Sequence, residues 1–238
     1  MDNLKHTDLL FIDIETVPKY ANFSEVPDIE KQLWTKKSRF IMQPNDTPET
    51  IYQRAGIYAE FGKIVCISTG FLTLKNNAYQ LHIKSFFSDD EKIVLNDFSA
   101  YLARVNKEKK QLALCAHNGK EFDYPYIIRR LLINNIPVPS LLNLSGKKPW
   151  EVMHIDTLEM WKFGDYKNYT SLELLAYVFG IKTPKDDIDG SMVAGVYYQE
   201  KNLPRIVEYC QKDVATLAQL YLKMKGDLGF EANEINYL

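Results

Sequence analysis

The chain has almost no net charge, few cysteines and no long apolar run, and each shortage removes a class of function. Lys and Arg total 29 against 31 Asp and Glu, a formal charge of −2 over 238 residues. That balance offers no broad basic face, so any nucleic acid must be held locally. The three cysteines, Cys66, Cys115 and Cys210, lie far apart in apolar contexts and form no Cys-x-x-Cys pair. They read as buried free thiols of a reducing compartment, which excludes a disulfide framework. His6, His82, His117 and His154 show no zinc spacing. No stretch approaches the roughly 20 apolar residues that cross a membrane, and the first residues lack the apolar core of a signal peptide. The expectation is a cytoplasmic protein. Repeats and low-complexity segments are missing too.

What is present is an ordinary globular composition, 46% hydrophobic, which suffices for a full core. No linker is visible, so a single domain over residues 1–238 is expected. The apolar run at residues 9–12 is too short for a helix and reads as a buried strand. Further strands are expected at 64–74, 79–87, 111–116 and 152–158, the second and third joined by a turn at Asn76-Asn77. Helical spacing runs through Ile93, Val94, Phe98, Tyr101 and Leu102 after an acidic cap at 88–91. It recurs at 122–133, 171–179, 191–200 and from Pro204 to about Lys225. Between the first two strands lies an excursion rich in proline. It has helical spacing at 28–34 and 50–58, and it is read as an inserted helical cap over residues 17–62.

Asp13 and Glu15 end the first strand. Residues two apart on a strand point the same way, and two carboxylates side by side at a core strand repel unless a cation lies between them. That pair is a metal-site signal. Asp123 opens a helix, where an acid also suits the helix electrostatics. Tyr209 and Asp213 stand four apart on the last helix and share a face. Taken singly, each of these last three has an ordinary structural reading.

Together, Asp13-Ile14-Glu15-Thr16, Asn118-Gly119-x-x-Phe122-Asp123 and Tyr209-x-x-x-Asp213 resemble the three motifs of the DEDD superfamily of 3′–5′ exonucleases. Glu208 stands where the sister subgroup has histidine, so the likeness is to the tyrosine subgroup, and within it to the exonuclease domain of family B DNA polymerases. The stretch at residues 58–64 also resembles free-standing bacterial proteins predicted to be exonucleases. The resemblance implies an α/β, ribonuclease H-like fold, a mixed five-stranded sheet flanked by helices. The helical insertion after the first strand has no counterpart in the smaller members.

The function it implies is hydrolysis at the 3′ end of single-stranded nucleic acid, DNA favoured over RNA, with two divalent cations, Mg2+ or Mn2+, as cofactors. Asp13, Glu15, Asp123 and Asp213 are the implied metal ligands, with Tyr209 orienting the attacking water. Thr16, Asn118 and Phe122 match positions that hold the terminal nucleotides, although Asn118-Gly119 also reads as a turn and Phe122 as core. Lys182 and Lys185 compete for a phosphate contact. Asp156 reads either as a strand-end residue or as support for the metal site. Trp161, Tyr166 and Tyr169 either face a nucleic-acid groove or pack. The segment 186–190 reads as a solvated turn rather than a calcium loop. An exoribonuclease with the same site, or a catalytically silent nucleic-acid-binding module, are the alternatives. A chain of this length leaves no room for a polymerase domain, so proofreading would need a separate polymerase or repair partner.

Overall fold

The computed structural model describes residues 4–148, 151–165, 169–182 and 188–238. The apolar run that opens the chain becomes β1 (Leu9–Pro18), whose first four side chains are all buried. β1 is central. It pairs parallel with β4 (Ala113–Ala116) on one side and antiparallel with β2 (Gly62–Lys75) on the other. Asn76 and Asn77, both at positive φ, turn β2 into β3 (Ala78–Phe87), a conformation asparagine tolerates better than most residues.

β5 (Ile155–Asp156) extends the sheet beyond β4, and β6 (Ile235–Tyr237) pairs parallel with β3. The order is β5-β4-β1-β2-β3-β6, six strands rather than the five expected. The extra strand has three residues and no apolar alternation of its own. It forms because β3 offers an open edge to Ile235, Asn236 and Tyr237. The strand expected at 152–158 shrinks to two residues. The Asp156 carboxylate accepts from Leu158 N–H at 2.9 Å and starts helix α4 (Thr157–Lys162) there.

The two faces of β1 are covered by different helices, as its period of two requires. Leu10, Ile12 and Ile14 pack with α2 (Glu91–Glu108) and α3 (Asp123–Ile133). Leu9 and Phe11 pack beneath the long helix α7 (Leu203–Met224), each contributing about 2 kcal/mol by burial. α7 lies close over the sheet at Gly70, where a Cβ would meet Val214 Cγ1 at 2.7 Å. Shorter helices α5 (Leu172–Val178) and α6 (Val193–Tyr198) pack against α7. No described helix is long and apolar enough to cross a membrane. The three cysteines are free and buried.

β1 runs on to Pro18 and β2 starts at Gly62, so the insertion occupies residues 19–61. Lys19 N–H donates to the Phe61 carbonyl at 2.9 Å and closes its neck. Inside it, α1 (Asp28–Ser38) places Trp34 in a small core with Tyr52 and Phe61, its indole donating to the Pro48 carbonyl at 2.7 Å. The second helix expected at 50–58 is instead a 3₁₀ helix, Tyr52–Ile57. Gly56 packs there on Pro18 so closely that a Cβ would sit 3.1 Å from its ring.

One buried ion pair joins these parts. Arg130 on α3 donates from Nε and Nη2 to Glu91 at 2.8 and 2.5 Å. Glu91 also accepts from Ile64 N–H at 2.7 Å and Asn134 Nδ2 at 2.9 Å. Arg130 Nη1 reaches the Ala59 carbonyl at 2.7 Å. Both charges are fully answered.

Candidate active site

α7 presents Tyr221, Leu217 and Val214 to Phe11 and Leu9. At helical spacing, the same stripe continues toward the N-terminus with Asp213 and Cys210. Along β1 the same face continues with Asp13 and Glu15. The two stripes therefore turn polar at the same level, and the carboxylates meet there. Cys210 Sγ donates to Asp13 Oδ2 at 3.2 Å and lies 3.5 Å from the Asp13 carbonyl oxygen. One ligand atom each from Asp13, Glu15 and Cys210 lie within 4.8 Å of one another, a grouping not repeated among the described residues.

Asp123 arrives from the other side of the strand. β1 pairs with β4 only as far as Phe11, so the strand edge beyond is open. There the Asp123 carboxylate faces the amides of Ile14 and of Asp123 itself, which favour its charged form. Tyr209, one residue before Cys210, donates its phenol to Asp213. Asp123 and Asp213 stand outside the tight trio, yet close enough for their charges to act on Asp13.

The electrostatics follow from burial without a cation. Burial first, then Asp213 and Asp123, push the Asp13 carboxyl well above the usual carboxylate range, against the Cys210 hydrogen bond. Burial, then Asp13 and Asp213, do the same to Glu15. Asp123 rises to about 7, chiefly by burial, with its two amide contacts opposing Asp156 and Asp213. Burial and the Asp213, Glu15 and Asp13 charges push the Tyr209 phenol up, so it stays protonated at neutral pH. Among the described residues, no basic side chain pairs with Asp13 or Glu15, and none donates a hydrogen bond to Glu15. A hard, oxygen-seeking divalent cation fits such a set.

The remaining expected residues are distributed unevenly. Thr16 follows a β-bulge at Glu15/Thr16 and its side chain lies near the Tyr126 hydroxyl. Asn118 holds a left-handed φ of 60° in the turn after β4, its amide donating to Asp156 Oδ1 at 2.9 Å. Phe122 is half-buried against Tyr126, ring centroids 5.4 Å apart. Asp156 proves to be a brace: it also accepts from Lys120 N–H at 3.0 Å and so fixes the loop that precedes Asp123. Trp161 packs edge-on against Phe179, while Tyr166 lies outside the described residues. Lys182 is exposed and shares a groove with Lys212; Lys185 lies outside the described residues, as do Asp186 and Asp187. Asp189 simply accepts from Ser191 at 2.8 Å.

Two further residues border the site: Tyr169, left open by the sequence between a nucleic-acid groove and packing, and Cys210. Tyr169 is 62% exposed, rests edge-on against His117, and feels the charges of Asp123, Asp13, Asp156 and Asp213. Cys210 was read only as a buried thiol. Its position next to Tyr209 on a helix was the one available signal. Beside Tyr209, a groove of about 430 Å3 lined by Arg205, Glu208 and Lys212 opens to solvent.

Comparison with known proteins gives this arrangement a family. None of the curated proteins matches the chain. The solved structure of the family B DNA polymerase from the hyperthermophilic archaeon Pyrobaculum calidifontis is similar, with a TM-score of 0.52 and 15% identity. The likeness covers 92% of this chain and 26% of that one, so this chain spans about a quarter of the polymerase's length. At that identity the likeness is one of fold, the ribonuclease H-like α/β sheet flanked by helices. A family described as a predicted 3′–5′ exonuclease related to the exonuclease domain of PolB matches residues 57–233. That stretch holds Asp123, Tyr209 and Asp213, whereas Asp13 and Glu15 precede it and join them through the sheet. With most of its length matched, the chain belongs to this family of predicted exonucleases related to the PolB exonuclease domain.

Proposed function

We propose that the protein is a 3′–5′ exonuclease using two divalent cations, Mg2+ or Mn2+, to release nucleoside 5′-monophosphates from single-stranded DNA. The observation that carries this reading is Glu15, a carboxylate 7% exposed, beside Asp13, with like charges around it and no donor among the described residues. Burying such a group unpaired costs several kcal/mol, and a cation removes that cost. DNA is preferred over RNA because the related domain belongs to a DNA polymerase.

Asp13, Glu15 and Asp213 would hold one cation, and Asp123 with Asp13 the other. When bound, the cations supply charge relief at the phosphate oxygens and a water acidic enough to attack near neutral pH. The chain's own residues do the positioning. Asp213 fixes the Tyr209 hydroxyl, which orients the attacking water; a phenol is too weak an acid to serve as a base at neutral pH. Phe122 and Tyr169 offer faces for the terminal bases, and Thr16 and Asn118 flank the same approach. Residues 1–238 act as one exonuclease domain, with the insertion at 19–61 a cap tied to it through Tyr126, which donates to the Gly56 carbonyl at 2.7 Å.

The test uses 5′-labelled single strands, DNA and RNA, with free or blocked 3′ ends and either cation. Stepwise shortening of free DNA ends is expected, faster than for RNA. Asp13→Ala and Asp213→Ala should abolish it. No shortening in either cation, or full activity in Asp13→Ala, would refute the assignment.

A further inference from the structure

Oxygen ligands suffice for the chemistry proposed above, yet a sulfur stands among them. Cys210 is fully buried, its Sγ 3.2 Å from Asp13 Oδ2, and it shares with Asp13 and Glu15 a space in which all three ligand atoms lie within 4.8 Å. Ligands about 2.0–2.3 Å from a tetrahedral zinc ion stand roughly 3.3–3.8 Å apart, so a small contraction gathers the three around one ion. A second observation is independent of the sulfur. The Glu15 carboxylate is more than nine-tenths buried, aims into this space and receives no hydrogen bond from the described residues. A third is the neighbouring thiol. Cys66 is the register partner of Glu15 across β1 and β2, and its thiol lies near enough to Cys210 to act on it electrostatically.

We propose that Asp13, Glu15 and Cys210 form a binding site for one thiophilic divalent cation, of the zinc and cadmium class. The inference rests on the exonuclease reading in one respect: this ion and the hard cations share Asp13 and Glu15, so they exclude one another. On binding, the Cys210 S–H bond breaks, its electron pair forms the sulfur–metal bond, and the proton leaves to solvent. Sulfur gives the site its selectivity, since thiolates favour softer ions while magnesium keeps to oxygen. A thiophilic ion at low concentration thus silences the enzyme against a large excess of magnesium.

The test titrates the full chain with Cd2+ and follows the ultraviolet charge-transfer band of a cadmium–thiolate bond. The band should saturate at one equivalent, be missing in Cys210→Ser, and need at least about tenfold more Cd2+ in Glu15→Gln. Cd2+ should raise the melting temperature of the wild type and not of Cys210→Ser; Cys210→Ala replaces the serine variant if that one melts early without metal. No band in the wild type, or a band unchanged in Glu15→Gln, overturns the proposal. Nuclease activity in Mg2+ is measured separately. Activity without the band sinks this inference alone, and the band without activity in any hard cation sinks the exonuclease reading while the thiol site stands.

Discussion

Glu15 and Glu91 are equally buried, each 7% exposed, and their surroundings are opposite. Glu91 meets Arg130, Asn134 and the Ile64 amide, and its charge is answered from within the protein. Glu15 meets Asp13, Asp213 and Cys66, and nothing among the described residues answers it. Burial is the same and purpose differs. A carboxylate satisfied by its own chain holds elements together, here α2, α3 and the start of β2. One left unsatisfied costs stability, which under the proposed function a cation from outside offsets.

Exchanging each acid for its amide tests that contrast most sharply. Glu15→Gln should lower nuclease activity by about a thousandfold or more, as expected for a lost cation ligand, with the unliganded melting temperature unchanged or raised. Glu91→Gln should do the reverse: about 3–5 kcal/mol of stability lost to a broken buried pair, with near-normal turnover in whatever remains folded. Chemical denaturation and single-turnover assays on both variants read the two axes. A destabilised Glu15→Gln alongside a stable, inactive Glu91→Gln would invert the comparison.

A smaller effect is expected at Tyr209. Tyr209→Phe keeps the ring and removes the hydroxyl held by Asp213, so kcat should fall about 10–100-fold while cation affinity holds. Equal loss in kcat and in cation affinity would mean that the phenol supports the ligands rather than the water.

The gentlest probe is pH. Asp13, Glu15 and Asp123 all have folded-state pKa values above their unfolded ones, with Asp123 near 7. The stability linked to their protonation is fully present below the unfolded values and is lost as pH rises through the folded ones. The cation-free protein should therefore lose melting temperature as pH climbs through about 7. Added Mn2+ should restore most above that pH and progressively less below it. A Mn2+ increment independent of pH between 5.5 and 8 would place the cation elsewhere.

The contrast also explains what could be read from the sequence. Asp13 and Glu15 were legible because a strand's period of two fixes the face they share, and the apolar run before them marks the strand. Tyr209 and Asp213 were legible by helical spacing, although only their company with the other motifs gave that spacing weight. Glu91 looked like an ordinary first-turn acid, since its partner Arg130 is distant in sequence and no local period announces the pair. Asp156 was ambiguous for a related reason: a single carboxylate caps α4 and braces the Asn118 loop at once. β6 escaped because three residues carry no pattern; the open edge of β3 selects them. The 3₁₀ helix at Tyr52–Ile57 escaped because its tightness reflects the contact of Gly56 with Pro18, again a distant residue.

Asp13 and Cys210 lie 197 residues apart along the chain, and β1 sits in the middle of the sheet rather than at its margin. During synthesis the first ligands emerge from the ribosome long before α7 exists to complete their pocket. Under the exonuclease reading, a nascent chain that stops short of α7 carries no complete cation site. The carboxylate pocket therefore closes only once α7 has formed over β1.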